Sequence, residues 1–212
     1  MHPSAALDIR QRWSIFVFLS IDSSAGTSVA VVSATGDVLA ETSSEDPRGH
    51  AEIIGVLLRD ALSSAGLSGG DVTHVVMGVG PGPFTGLRVG MAAAIAFSSS
   101  RSLPLLPVIS HDSLGFSAPG DLVVVTDARR GEVAYSGYLA GQLQRRVIGP
   151  ELCRPEELDE ALGAHSALTR LEASLIPASG LAQVARVYLE NSLDFPAAQP
   201  VYLRAPDVTM PS

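Results

Sequence analysis

Two aspartates, Asp22 and Asp127, each close an apolar run and are followed four residues later by a glycine, Gly26 or Gly131. Carboxylates placed this way can position a divalent cation and a water; the same pattern is also ordinary turn chemistry, since Asp bonds to its own backbone. A second candidate is the segment Gly78-Val79-Gly80-Pro81-Gly82-Pro83-Phe84-Thr85-Gly86-Leu87-Arg88-Val89-Gly90. Glycines at 80, 82, 86 and 90 permit a turn that delivers free N–H groups to a helix start, where an anion can bind. Pro81 and Pro83 remove two of those donors, which favours a structural connection instead. All 14 basic residues are Arg, so no P-loop lysine, Schiff-base lysine or lysine base exists. His50-Ala51-Glu52 opens a helix, but no histidine stands at position 54, and the paired histidines of a helical zinc site are missing. His74, His111 and His165 are scattered and read as surface or capped residues. Cys153 is alone, so no disulfide framework forms within the chain. Neither a nucleophile elbow nor a dinucleotide fingerprint occurs, and the residues call for no metal and no cofactor.

These residues must be held by elements that the pattern makes legible. From Ser14 the chain reads as three antiparallel strands (14–22, 27–33, 38–42), a helix (49–65), a strand (74–79), a helix (84–101) and a strand (105–109). Strands at 122–126 and 133–139 then begin a second unit. Asp22, Gly26 and Gly36 recur 105 positions later as Asp127, Gly131 and Gly141, which implies a duplicated meander. No clear continuation of that second copy is visible after Val147, beyond a helix at 179–190. The expected fold class is therefore α/β, with two ribonuclease H-like subdomains of the actin-like ATPase type, the second reduced. Residues 1–13 read as a loose extension, 14–112 as the N-terminal subdomain and 113–212 as a smaller C-terminal one.

Charged residues are 17% of the chain, against about 25% in an average soluble domain. The net charge of −8 and the absence of an arginine stripe argue against autonomous nucleic-acid binding. The helix from Phe84 is apolar almost all round: Phe84, Leu87, Met91, Ala94 and Ile95 form one stripe, and Val89, Ala92, Ala93, Ala96 and Phe97 fill much of the rest. A helix lying on one sheet needs one apolar face, so the surplus implies a second burial, inside the chain or against a partner. The helix at 49–65 carries a milder surplus at Ile53 and Val56. The run Ile15–Ile21 is too short to span a membrane and ends at Asp22, so a cytoplasmic protein is expected.

The segments Ile21-Asp22-Ser23-Ser24, His50-Ala51-Glu52, Gly80–Gly90, Asp127-Ala128-Arg129-Arg130-Gly131-Glu132-Val133 and Pro200-Val201-Tyr202-Leu203-Arg204 together resemble the TsaB (YeaZ-like) family. The resemblance implies a non-catalytic scaffold or activator subunit of the bacterial complex that makes threonylcarbamoyladenosine at tRNA position 37. It implies a TsaD-type transferase as partner, a TsaE-type ATPase reached through it, tRNA contact only within the complex, and a homodimer when alone. The implied interface is the helical face of the first half, with Ile53, Leu57, Phe84, Arg88, Met91, Ala92 and Ile95. Asp22 and Asp127 would then be vestiges of a nucleotide or metal site. The family carries a further strand and glycine turn where residues 150–178 stand, so the second subdomain is expected to be trimmed. The alternative from another class is a compact ATPase or small-molecule kinase of the actin-like group.

Overall fold

The computed structural model describes residues 16–46, 49–141 and 145–204. The expected extension at 1–13 lies outside them. Among the described residues nine strands and five α-helices follow in the order β1 (Val17–Asp22), β2 (Thr27–Ser33), β3 (Val38–Ser44), α1 (His50–Ser64), β4 (His74–Gly78), α2 (Phe84–Arg101), β5 (Leu105–Val108), α3 (Asp112–Ser117), β6 (Leu122–Asp127), β7 (Val133–Tyr138), β8 (Arg146–Cys153), α4 (Leu158–Leu162), β9 (Thr169–Ala173) and α5 (Ala178–Glu190). They build two sheets, ordered β3-β2-β1-β4-β5 and β8-β7-β6-β9.

The duplication holds at the level of strand register. In the first hairpin Val17 faces Ser33 and Asp22 faces Ser28; 105 positions on, Leu122 faces Tyr138 and Asp127 faces Val133. Each unit then adds a parallel strand beside its first: β4 beside β1, and β9 beside β6. The second copy therefore continues further than its sequence suggested. It is nonetheless reduced. Phe18 faces His74 while Val123 faces Arg170, so the parallel strand arrives after 96 positions rather than 105. α4 has 5 residues where α1 has 15, and no strand of the described residues takes the place of β5.

The inner strands β1, β2 and β4 of the first sheet are buried on both faces, which explains their nearly continuous apolar runs, whereas the edge strand β3 is largely exposed. Leu19, Ile21, Val29, Val31, Val75 and Met77 pack under α1 and α2. Phe18, Ala30, Val32, Val76 and Val108 pack under α5, through Leu181, Ala182, Val184 and Ala185. A boundary at residue 112 separates the two sheets but not the packing, because α5 lies on the sheet of the first half. The tail returns as well: the Val201 N–H donates to the Val79 carbonyl at 2.8 Å.

Candidate functional site

The glycine-rich segment proves to be half of a joint whose other half is the β1–β2 turn. The Ser23 hydroxyl donates to the Gly86 carbonyl at 2.7 Å and accepts from the Gly90 N–H at 2.8 Å. A Cβ on Gly82 would lie 2.5 Å from the Ser24 carbonyl oxygen, and one on Gly86 2.8 Å from His50 Nε2. At Gly78 and Gly90 the added carbon would overlap the Asp22 carboxylate and the Ser23 hydroxyl. Gly80 holds φ at +96°, and its N–H donates to the Ser110 hydroxyl at 2.9 Å. The glycines thus let the start of α2 lie directly on Asp22-Ser23-Ser24. His50 closes the same joint, its Nδ1 being 2.6 Å from the Thr27 hydroxyl.

Asp22 sits under this joint, 1% exposed. One carboxylate oxygen accepts from the Ser24 N–H at 2.7 Å and the Ser24 hydroxyl at 2.6 Å; the other accepts from the Ser110 hydroxyl at 2.5 Å. Burial pushes its carboxyl above the usual range, against the pull of the Ser110 and Ser24 hydrogen bonds. Asp127, its counterpart, is exposed; it accepts from the Arg129 N–H at 2.8 Å and pairs with the Arg129 guanidinium at 3.4 Å. The two carboxylates expected as a vestigial nucleotide or metal site therefore stand in opposite environments, one sealed and one in water. Among the described residues no three His, Cys, Asp or Glu side chains come together as a metal cage.

His111 is not a surface or capped residue. It is fully buried between the halves, with Nδ1 2.9 Å from the Ser136 hydroxyl and Nε2 2.9 Å from the Thr126 hydroxyl. Burial first, and then the Arg146 charge, bring its pKa down to about 3. Beside it Asp112 accepts from Tyr138 at 2.8 Å and from Arg146 at 2.9 Å. Ser110-His111-Asp112-Ser113 is thus a polar seam between the two sheets. Nothing in the sequence marked it except the adjacency of four polar residues after an apolar strand.

The expected interface residues divide. Leu57 and Met91, 7% and 5% exposed, belong to the core beneath α1 and α2 and offer no surface to a partner; Ile53 is half-buried against the same core. Leu87, Met91 and Ala94 carry the inner stripe of α2, joined by Gly86, Gly90 and Ser98. Phe84, Arg88, Ala92 and Ile95, spaced by four, four and three residues, form one exposed outer stripe. Phe84 and Ile95 are 44% and 42% exposed, and Val56 on α1 adds another exposed apolar side chain at 40%. The stripe ends in a stacked cluster: the Arg88 guanidinium lies 3.6 Å from the Phe84 ring centroid, Phe84 stacks on Tyr202 at 5.0 Å, and Arg88 Nε donates to the Tyr202 hydroxyl.

A family model described as "TsaD: tRNA N6-adenosine threonylcarbamoyltransferase" matches residues 32–196. The chain belongs to this family. An uncharacterized protein of Mycobacterium tuberculosis is 39% identical to it over 209 residues, covering 92% of this chain and 95% of the relative. A tRNA N6-adenosine threonylcarbamoyltransferase of Streptococcus mutans is 45% identical over 73 residues, covering 34% of this chain and 21% of the enzyme. In fold the chain is like YeaZ from Pseudomonas aeruginosa, with a TM-score of 0.69 at 22% identity over 89% of this chain and all of that one. A second Pseudomonas aeruginosa structure, described as similar to peptidase YEAZ, gives 0.71 at 24% identity over the same shares of the two chains. This family member therefore has the YeaZ fold of two sheets, the second smaller. No helix among the described residues is long and apolar enough to cross a membrane.

Proposed function

We propose that this family member is a non-catalytic subunit of the machinery that installs threonylcarbamoyladenosine at tRNA position 37, and that it docks a TsaD-type transferase through the outer face of α1 and α2. The observation that carries this reading is the outer stripe of α2. Phe84, Ala92 and Ile95 expose apolar surface on a helix whose inner stripe is already packed, and Val56 is exposed on α1. An exposed patch rimmed by polar residues and an arginine is the kind of surface protein partners cover. The Asp22 turn supports the non-catalytic part, since its carboxylate oxygens are taken up by Ser24 and Ser110. In this reading the same face pairs two copies when the partner is absent, a TsaE-type ATPase is reached through the transferase, and tRNA is met only in the assembly. The protein works in the cytoplasm without a cofactor of its own.

Sizing chromatography of the purified chain with its TsaD-type partner tests it. Co-elution is expected, and Ala92→Arg should abolish it while leaving the melting temperature within a few degrees. Failure to co-elute under every nucleotide condition would sink the proposal.

A further inference from the structure

Between α3, the start of β8 and the end of α5 lies a cavity of about 270 Å³. Sites for drug-sized ligands run from roughly 300 to 1,000 Å³, so this one suits a smaller molecule. Three aromatic side chains line it: the rings of Phe116 and Tyr188 have centroids 6.2 Å apart, and those of Tyr188 and Phe195 5.4 Å apart. Ile109 and Pro196 complete the apolar lining. The charged lining residues are one cation, Arg146, and one anion, Asp194. Arg146 is fixed from behind: its Nε donates to Asp112 at 2.9 Å and its Nη1 to the Gly149 carbonyl at 2.6 Å, while Asp112 is held in turn by the Tyr138 hydroxyl. Asp112 is buried and does not line the cavity. The Nη2 of Arg146 has no protein acceptor among the described residues. Asp194 is exposed and makes no hydrogen bond or ion pair among the described residues. The two charges thus share one cavity yet stand further apart than the ~4 Å of an ion pair.

We infer that this cavity binds a free α-amino acid with an aromatic side chain, its carboxylate on Arg146, its ammonium on Asp194 and its ring among Phe116, Tyr188 and Phe195. One positive and one negative group, held apart, match a zwitterion that carries both charges on a single carbon. A guanidinium already oriented by Asp112 and Gly149 loses little freedom on meeting a carboxylate. The walls favour an aromatic ring by offset or edge contact, and ring faces also attract the ammonium. A peptide end presents only one of the two charges, so the free amino acid fits better than either terminus of a chain. Ile109 follows β5 and Arg146 opens β8, so the occupant touches both halves of the molecule and stabilises the folded chain. This inference does not rest on the docking of a transferase and is tested on the isolated chain.

Calorimetric titration of the full-length protein with L-phenylalanine, N-acetyl-L-phenylalanine, L-phenylalaninamide and glycine decides it. Saturable binding of L-phenylalanine is expected. Each capped form should bind at least about tenfold more weakly, since it lacks one of the two charges, and glycine likewise, since it lacks the ring. Asp194→Asn should weaken L-phenylalanine about tenfold or more and leave N-acetyl-L-phenylalanine, which has no ammonium, unchanged. Because Asp194 is exposed and unpartnered among the described residues, that variant should melt within a few degrees of the native protein. No saturable binding at millimolar L-phenylalanine, equal binding of a capped form or of glycine, or binding indifferent to Asp194→Asn would each overturn the proposal.

Discussion

The β1–β2 and β6–β7 hairpins share register and strand-end aspartate, yet one turn is buried and the other open. Asp22 is covered because the loop into α2 brings glycines against Ser23 and Ser24. The second unit has no α2 after its parallel strand. β9 leads instead into α5, which crosses to the first sheet, so nothing of that kind descends on Asp127. The same pattern of aspartate, spacer and glycine therefore yields a packed joint in one place and a solvated turn in the other. The neighbouring element, more than the motif, determines its chemistry.

The contrast breaks most sharply at the glycines. Gly82→Val would drive a branched side chain into the Ser24 backbone and should cost more than about 4 kcal/mol, or prevent folding, in urea denaturation. Gly131→Ala, at φ +75° with open space around it, should cost only about 1 kcal/mol. Met91→Arg places an unpaired charge in the core and should destabilise by about 3–5 kcal/mol in the same assay, whereas Ala92→Arg, one residue along and exposed, should change stability by less than about 0.5 kcal/mol.

The buried His111 sets a pH dependence of comparable size. Its folded pKa of about 3 lies below the ~6.5 of an unfolded histidine, so its contribution is complete above pH 6.5 and is lost as pH falls toward 3. Asp22 and Asp112, whose carboxyls are raised by burial, act in the opposite sense, contributing below the unfolded carboxylate value and losing it as pH rises. The difference in stability between the native protein and His111→Asn isolates the histidine. It should shrink by roughly 3–5 kcal/mol between pH 7 and pH 3.

The first half was largely legible because its core strands are short runs of apolar residues and its elements are bounded by glycine or polar turns. β2, β4 and α2 begin where the pattern places them. β8 escaped because Gly149 and Pro150 interrupt it, a combination tolerated only at a sheet edge. β9 escaped because Thr169-Arg170-Leu171-Glu172 is exposed throughout and shows no apolar alternation. The glycine joint was half visible. Spacing by four from Gly82 through Gly86 to Gly90 announces a face of close approach, but the sequence does not say that Ser23, Ser24 and His50 fill it. His111 was misread since a lone histidine carries no local mark of burial; only the docking of two sheets removes it from water.

One further pair of substitutions sharpens the aspartate comparison. Asp22→Ala would leave the Ser24 N–H and two hydroxyls without their acceptor and should cost about 2–4 kcal/mol, while Asp127→Ala, losing an exposed turn bond and a surface ion pair, should cost less than about 1 kcal/mol.

The outer face of α2 is tested most directly by measuring the affinity of the TsaD-type partner for the native chain and for Ile95→Arg, with melting temperatures taken on the same samples. Binding should fall at least about a hundredfold, with the melting temperature unchanged within a few degrees. Undiminished binding by a well-folded Ile95→Arg protein would contradict docking through that face.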